Sequence, residues 1–217
     1  MKIYAFIPLR SGSKGIIKKN IKHMAGKPLA QWVIDSANKS YYVDETYIST
    51  DSDEISDPLS ECYVHKRSDI SATDEASSEI VLLEFCENLE DDDIVVFIQA
   101  TSPLLEPSEI DEGIESIIKG GYDSAISVVR QKRFIWENGN PINYNLNNRP
   151  RRQEWDGYLV ENGAFYISKV KNIKDSKLRV SSKISTIICS EYSYFEIDDI
   201  SDWYILESII ENKNIKK

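Results

Sequence analysis

The chain has 217 residues, 41% of them hydrophobic and 29% charged, with a net charge of −10. That length suits one α/β domain with a core that needs no disulfide or metal staple, and the acidic balance argues against sequence-independent binding to nucleic acid or anionic membrane. No apolar run approaches the ~20 residues of a membrane span, the apolar start at Ile3 is too short for a signal peptide, and Cys62, Cys86 and Cys189 form no CxxC, so they read as reduced thiols of a cytoplasmic chain.

Ile3 to Leu9 reads as a buried strand followed by a Gly/Ser/Lys loop. Pro28 opens a helix with Leu29, Trp32, Val33 and Ala37 on one face. Thr46 to Thr50 is a second strand closed by Asp51-Ser52-Asp53, and Ala76 to Leu89 has helical spacing. Ile94 to Ile98 is a strongly buried strand ending in Gln99-Ala100-Thr101-Ser102-Pro103. Pro107 to Lys119 is a helix with a cap-like Ser108-Glu109 pair, and Ser124 to Val129 a further strand. Strands alternating with helices predict βαβ units and a mainly parallel, helix-covered sheet. From Arg130 to Gly163 the chain turns rich in Asn, Arg and aromatics, which predicts a hairpin-like arm that serves oligomerisation. Gly163 to Ser168 returns to a buried strand, and a helix runs from Ser201 to near Asn212. No linker divides residues 1–217, so they read as a single domain with an arm.

Charge is unevenly placed. Before Asp35 there are seven basic residues (Lys2, Arg10, Lys14, Lys18, Lys19, Lys22, Lys27) and no acidic one, leaving 19 basic against 36 acidic in the remainder. A basic segment on an acidic body suggests a local anion site, and its small size favours a polyphosphate over a polymer. The loop Leu9-Arg10-Ser11-Gly12-Ser13-Lys14-Gly15 with Lys18-Lys19-Asn20 sits where backbone N–H groups at a strand end converge on an anion. It is neither GxGxxG nor a Walker A loop; the alternative is a solvated basic turn.

Gln99 stands at the next strand end, placed to orient a substrate hydroxyl or simply to begin a TSP turn. Arg149, Arg151 and Arg152 either hold an anion or pair with Glu154 and Asp156 on a surface arm. Glu196 and Asp198 alternate on an extended segment and so share a face, which suits Mg²⁺, whereas Asp199 and Asp202 fit the N-terminal charge of a helix. The run Glu90-Asp91-Asp92-Asp93 reads as a solvated turn. His23 and His65 are isolated, and no GxSxG occurs, which disfavours a zinc site or a serine triad. Trp32 and Trp203 sit at helical core positions, while Trp136 and Trp155 fit a subunit interface in the arm.

Taken in order, these segments resemble the N-acylneuraminate cytidylyltransferase (CMP-sialic acid synthetase) family. The likeness rests on Ile7-Pro8-Leu9-Arg10-Ser11-Gly12-Ser13-Lys14-Gly15, Lys18-Lys19-Asn20, Gly26-Lys27-Pro28-Leu29, Ser49-Thr50-Asp51, Lys66-Arg67 and Thr73-Asp74-Glu75-Ala76-Ser77-Ser78. It continues through Gln99-Ala100-Thr101-Ser102-Pro103-Leu104, Arg149-Pro150-Arg151-Arg152-Gln153, Glu161-Asn162-Gly163-Ala164 and Glu196-Ile197-Asp198. The resemblance implies a single Rossmann-like α/β nucleotide-binding domain with a protruding dimerisation arm at about 130–163. It implies transfer of CMP from CTP to a nine-carbon 2-keto-3-deoxy acid, with Mg²⁺ (or Mn²⁺) and a homodimer. By position, Arg10, Ser13, Lys14, Lys19 and Asn20 would hold the phosphates, and Arg67, Ala76 and Ser78 would surround the cytidine. Gln99 and Arg152 would meet the sugar acid, and Glu196 with Asp198 would hold the metal. Lys19, Arg10 and Gln99 are the residues expected to carry the chemistry.

Two positions depart from the family pattern: Glu196 stands where Asp is usual, and Leu105 where an Arg would place a cation near the crevice. Alternatives are a cytidylyltransferase for 3-deoxy-manno-octulosonate, another sugar nucleotidyltransferase, or an inactive nucleotide-binding regulator.

Overall fold

A computed structural model of the chain describes residues 1–12, 15–73 and 76–215. Ser13 and Lys14, both expected in the anion loop, lie outside them. In chain order the elements are β1 (Ile3–Pro8), β2 (His23–Met24), β3 (Lys27–Pro28), α1 (Leu29–Lys39), β4 (Glu45–Thr50), α2 (Asp53–Ser56), β5 (Tyr63–Lys66) and α3 (Ser78–Cys86). There follow β6 (Ile94–Ile98), α4 (Pro107–Ile118), β7 (Ser124–Gln131), β8 (Trp136–Glu137), β9 (Asn140–Pro141), β10 (Tyr158–Lys169), α5 (Val170–Ser176), β11 (Ile184–Ile188) and α6 (Ile200–Ile215).

Seven strands form one sheet in the order β11-β7-β10-β6-β1-β4-β5. β1 pairs in parallel with β4 and β6, β4 with β5, and β7 with β11. β10 alone among the sheet's described strands runs the other way, antiparallel between β6 and β7. The expected α/β class with a mainly parallel sheet therefore holds.

Side-chain alternation along the strands sets the layers. Ile3, Ala5 and Ile7 of β1 and Ile94, Val96 and Ile98 of β6 face α1 and α4 in one buried cluster. Tyr4, Phe6, Val95 and Phe97 face α3 and α5 in another. A sheet apolar on both faces needs helices on both, which explains why β6 is a continuous apolar run. A third cluster joins Ile16, Met24, Leu29 and Leu104 to Ile197, Trp203, Leu206 and Ile210, so α6 clamps the loop after β1 onto the segment before α6.

Several local readings are corrected. Glu106, rather than Ser108, caps α4; its partner Glu109 accepts from the Glu106 N–H at 3.0 Å in a capping box. Asp93 is buried instead of solvated, its carboxylate accepting from Lys2 N at 2.6 Å and Glu90 N at 3.1 Å. Leu105 points into the core at 2% exposure, away from the cleft described below.

The arm is a hairpin as expected. β8 and β9 are joined by Asn138-Gly139, both at positive φ (48° and 80°), the dihedral signature of a tight Asn-Gly turn. Phe134 and Trp155 stack on each other at 4.9 Å and Arg149 covers Phe134 at 4.4 Å, so these side chains build the arm's own small core. Trp136 is 53% exposed, and Ile142 and Leu146 beside it are exposed as well.

Candidate active site

The sheet order changes direction at β1, whose chain successors β4 and β6 lie on opposite sides of it. Loops at the carboxyl ends of β1 and β6 therefore border one crevice, the usual ligand position of an open α/β sheet. A cleft of about 400 Å³ lies there, lined by Arg10, Lys19, Asn20, Arg67, Ala76, Ser78, Gln99 and Asp198 together with apolar Val81 and Phe97. All but Val81 and Phe97 are residues singled out from the sequence, brought together from five separate stretches of chain.

Each is held by local structure. Lys18 takes a left-handed conformation (φ 53°) and turns the chain into a short 3-10 helix, Lys19–Ile21. Asn20 is buried and donates from Nδ2 to Arg10 O at 3.1 Å, closing the loop on itself. Lys19 Nζ donates to Ile197 O at 2.7 Å, within the influence of the Asp198 and Glu196 charges. A Cβ on Gly15 would lie 2.6 Å from Asp198 O, a close approach that only glycine permits. Burial pushes Lys19 below the ordinary lysine value, against the pull of Asp198 and Glu196.

Arg67 follows β5 and is held in the wall by donating from Nε to Ser49 O at 3.1 Å. Ser49 also hydrogen-bonds His65 Nδ1 at 3.0 Å, and burial lowers the pKa of that imidazole. Sequence reasoning gave His65 no role; its partner Ser49 is contributed by a different strand and carries no spacing signal.

Gln99 begins the loop after β6, its N–H bonded to Ala164 O at 3.1 Å. Gly163 sits in a bulge of β10 at φ 65°, and a Cβ there would fall 2.4 Å from Glu196 Oε1 and 2.6 Å from Gln99 Oε1. Glu196 and Gln99 thus flank one glycine, a relation invisible in the sequence.

The carboxylate segment divides as its two readings suggested. Asp199 Oδ1 accepts from Ser201 N at 2.7 Å and Asp202 N at 3.3 Å, while Asp202 Oδ2 accepts from Asp198 N and Asp199 N, both at 3.0 Å. These two aspartates cap α6, and the hydrogen bonds hold Asp199 below the usual carboxylate value. Asp198 lines the cleft; Glu196 is not among its lining residues and stands beside Gln99, which is. Burial raises the Glu196 pKa, and the nearby charges of Asp198 and Glu161 raise it further. Hard oxygens crowded in this way suit a divalent cation, which relieves their repulsion. Among the described residues no cluster of three or more His, Cys, Asp or Glu side chains is placed to hold a metal.

Other expected cations are used elsewhere. Lys2 pairs with Glu45 at 2.7 Å, Lys18 with Glu54, Lys27 with Asp35, and Lys22 lies 4.6 Å over the Trp203 ring. The basic character of the first segment therefore narrows, among described residues, to Arg10 and Lys19 at the cleft, with Arg67 added from β5. Arg152 lies exposed on the arm and is not among the residues lining the cleft, and Arg151 reaches Glu154 at 3.9 Å.

The model of a family described as Cytidylyltransferase matches residues 4–197. N-acylneuraminate cytidylyltransferase A of Danio rerio is 42% identical over 215 residues, covering 94% of this chain and 50% of that protein. The chain thus spans about half the length of the first relatives it matches. The CMP-N,N'-diacetyllegionaminic acid synthase of Legionella pneumophila is 29% identical with 97% of each chain covered. In fold, the chain is similar to a CMP:2-keto-3-deoxy-manno-octonic acid synthetase solved with CTP, with a TM-score of 0.74 at 16% identity over 98% of this chain and 100% of that one.

Proposed function

The chain belongs to the cytidylyltransferase family, and from that premise we propose that it joins CTP to a sialic-acid-type nine-carbon 2-keto-3-deoxy acid, giving a CMP-sugar and pyrophosphate. The observation that carries this reading is the contact of Lys19 Nζ with Ile197 O, which ties the cationic loop to the Glu196-Ile197-Asp198 segment. The relatives named for N-acylneuraminate and diacetyllegionaminate support the class of acceptor.

In this reading Arg10, Lys19 and Asn20, with Ser13 and Lys14 of the same loop, bind the triphosphate, and Arg67, Ala76 and Ser78 receive the cytidine. The acceptor's 2-hydroxyl attacks the α-phosphorus in line. The bond from that phosphorus to the bridging oxygen breaks, pyrophosphate leaves, and the hydroxyl proton passes to water. Such a transfer depends on positioning and charge neutralisation. Lys19 and Arg10 offset the charge that develops on the leaving phosphates, and Gln99 orients the hydroxyl. Glu196 and Asp198 would hold Mg²⁺ (Mn²⁺ in its place), which when bound supplies further neutralisation of phosphate charge.

We read residues 1–217 as one catalytic domain acting as a cytoplasmic homodimer, a setting that suits the free Cys62, Cys86 and Cys189. The exposed Trp136 face of the arm makes the contact and delivers Arg152 to the acceptor. The test is pyrophosphate release with Mg²⁺ across a panel of N-acetylneuraminic, legionaminic and pseudaminic acids and 3-deoxy-manno-octulosonate, each with the four NTPs. Turnover with CTP and a nine-carbon acid is expected. Turnover confined to the octulosonate or to another nucleotide, or none at all, refutes the reading.

A further inference from the structure

Arg67 reaches the cleft from a weakly held piece of chain. β5 is the last strand of its sheet and, among the described strands, pairs with β4 alone. Its Tyr63, Val64 and Lys66 are exposed, and only His65 is half-buried. Alternate residues of an extended segment share a face, so His65 and Arg67 lie on one side of the sheet, the side that carries Phe6, Val81 and Phe97. Val81 and Phe97 line the cleft with Arg67. An edge strand with so little buried surface opens more readily than the strands inside the sheet, and the guanidinium at its end would move with it.

His65 is the side chain that restrains it. Its ring packs 6.1 Å from Phe6 and 5.4 Å from Phe85, and its Nδ1 is bonded to Ser49 Oγ at 3.0 Å. Ser49 is fully buried in β4, and its carbonyl accepts from Leu9 N at 2.8 Å and from Arg67 Nε at 3.1 Å. One serine thus joins the start of the loop after β1, the half-buried imidazole and the cleft arginine. Beyond Arg67, Ser68 donates to Glu84 from its N–H at 2.7 Å and its hydroxyl at 3.0 Å, which ties the following residues to α3. Burial holds the imidazole below its ordinary pKa, and the Arg67 charge acts in the same direction against the pull of Glu84. At pH 8 the ring is therefore neutral and sets no second cation against the guanidinium.

Resting on the proposed function, we infer that His65, through its bond to Ser49, is a positioning residue that holds Arg67 for the nucleotide. His65 itself is not among the residues lining the cleft. A guanidinium already fixed on a main-chain carbonyl has less freedom to lose when CTP arrives, which is how preorganisation raises affinity. Without the His65 bond the arginine is present but misaligned, so CTP is weakened and the acceptor end of the cleft is left alone.

The experiment is pyrophosphate release at pH 8 for the wild type, Ser49→Ala, His65→Phe, His65→Asn, Arg67→Ala and the double variant of His65→Phe with Arg67→Ala. His65→Phe keeps a ring between Phe6 and Phe85 but cannot bond Ser49, and His65→Asn puts an amide where Nδ1 stood. KM for CTP should rise about 10-fold in Ser49→Ala and His65→Phe, with kcat and KM for the nine-carbon acid within about twofold. His65→Asn should recover part of the loss. In the Arg67→Ala background, itself raised in KM for CTP, His65→Phe should add nothing, because its effect passes through the arginine. A purely structural histidine predicts a lower Tm with unchanged KM, or losses that add to those of Arg67→Ala. Ser49→Ala removes a single oxygen and reports on the bond even if His65→Phe does not fold. Wild-type KM for CTP in Ser49→Ala or in Arg67→Ala, additivity in the double variant, or His65→Asn no better than His65→Phe overturns the inference and leaves the proposed function standing. Absence of wild-type turnover with CTP and every nine-carbon acid overturns both.

Discussion

Gly163→Ala perturbs the site without removing any charged or polar group. At φ 65° alanine pays a left-handed penalty of about 1 kcal/mol, which lowers Tm by about 2–4 °C in a chain of this size. The added Cβ would meet Glu196 Oε1 at 2.4 Å and Gln99 Oε1 at 2.6 Å. Those atoms must retreat by about 1 Å to reach ordinary contact distance. Both are ends of flexible side chains, so the fold survives the change. The reacting geometry does not, since a misplacement of about 1 Å is enough to cost about 10²-fold in rate. The expected outcome is a kcat lowered about 100-fold in pyrophosphate release, with KM for CTP nearly unchanged because Arg10, Lys19 and Arg67 are untouched. Circular dichroism melts supply the control. Activity within twofold of wild type would show that Glu196 and Gln99 do not work from these positions, and loss of cooperative folding would show that more than two side-chain ends stand in the way.

Lys19→Ala should lower kcat/KM by about 10²-fold or more with a normal far-UV spectrum; full activity, or failure to fold, would remove Lys19 from the phosphate site. Asp198→Asn should abolish Mg²⁺-dependent turnover and the rise in Tm that Mg²⁺ with CTP gives the wild type, while Asp199→Asn, which still caps α6, keeps both; turnover in excess chelator would refute the metal assignment. Burial holds the His65 pKa below its ordinary value, so as pH falls below about 6.5 the unfolded chain binds a proton that the folded one refuses, and stability declines until the folded imidazole itself titrates. Urea midpoints at pH 7 and pH 5.5 should therefore diverge less in His65→Gln than in wild type, and an equal divergence would exclude His65 as a source. Trp136→Glu should raise the monomer fraction in light scattering and reduce activity together, since it buries a charge at the proposed contact; a fully active monomer would leave the arm a lid on its own subunit.

The parts of the molecule that could be read from the sequence share a physical cause. β6 was located to the residue because all five of its side chains are buried, and the loops after β1 and β6 declared themselves by ending such strands. β5 (Tyr63–Lys66) and β11 (Ile184–Ile188) are edge strands with mostly exposed or half-exposed residues, so their hydrophobic pattern is faint. The outer part of β10 reads as arm because Glu161, Asn162 and Gly163 break the hydrophobic pattern, and the irregularity there sets Gly163 against both Gln99 and Glu196. The cationic segment over-promised, because Lys2, Lys18 and Lys27 find carboxylates that only tertiary structure brings near. His65 was silent for the converse reason, since its partners Ser49, Phe6 and Phe85 come from three different elements.

The bond from Lys19 to the Ile197 carbonyl joins residues 178 positions apart. Closing so long a loop costs entropy that only later contacts return, so the sheet around β1, β4 and β6 can consolidate before the two sides of the cleft meet. The order reverses on loosening: α6 with the segment before it docks through a cluster of its own and a few hydrogen bonds, a natural unit for opening on its own. Catalytic competence is then a property of the last-docked piece of chain rather than of the sheet, and mild denaturant should extinguish turnover at concentrations where the strands are still fully protected from hydrogen exchange.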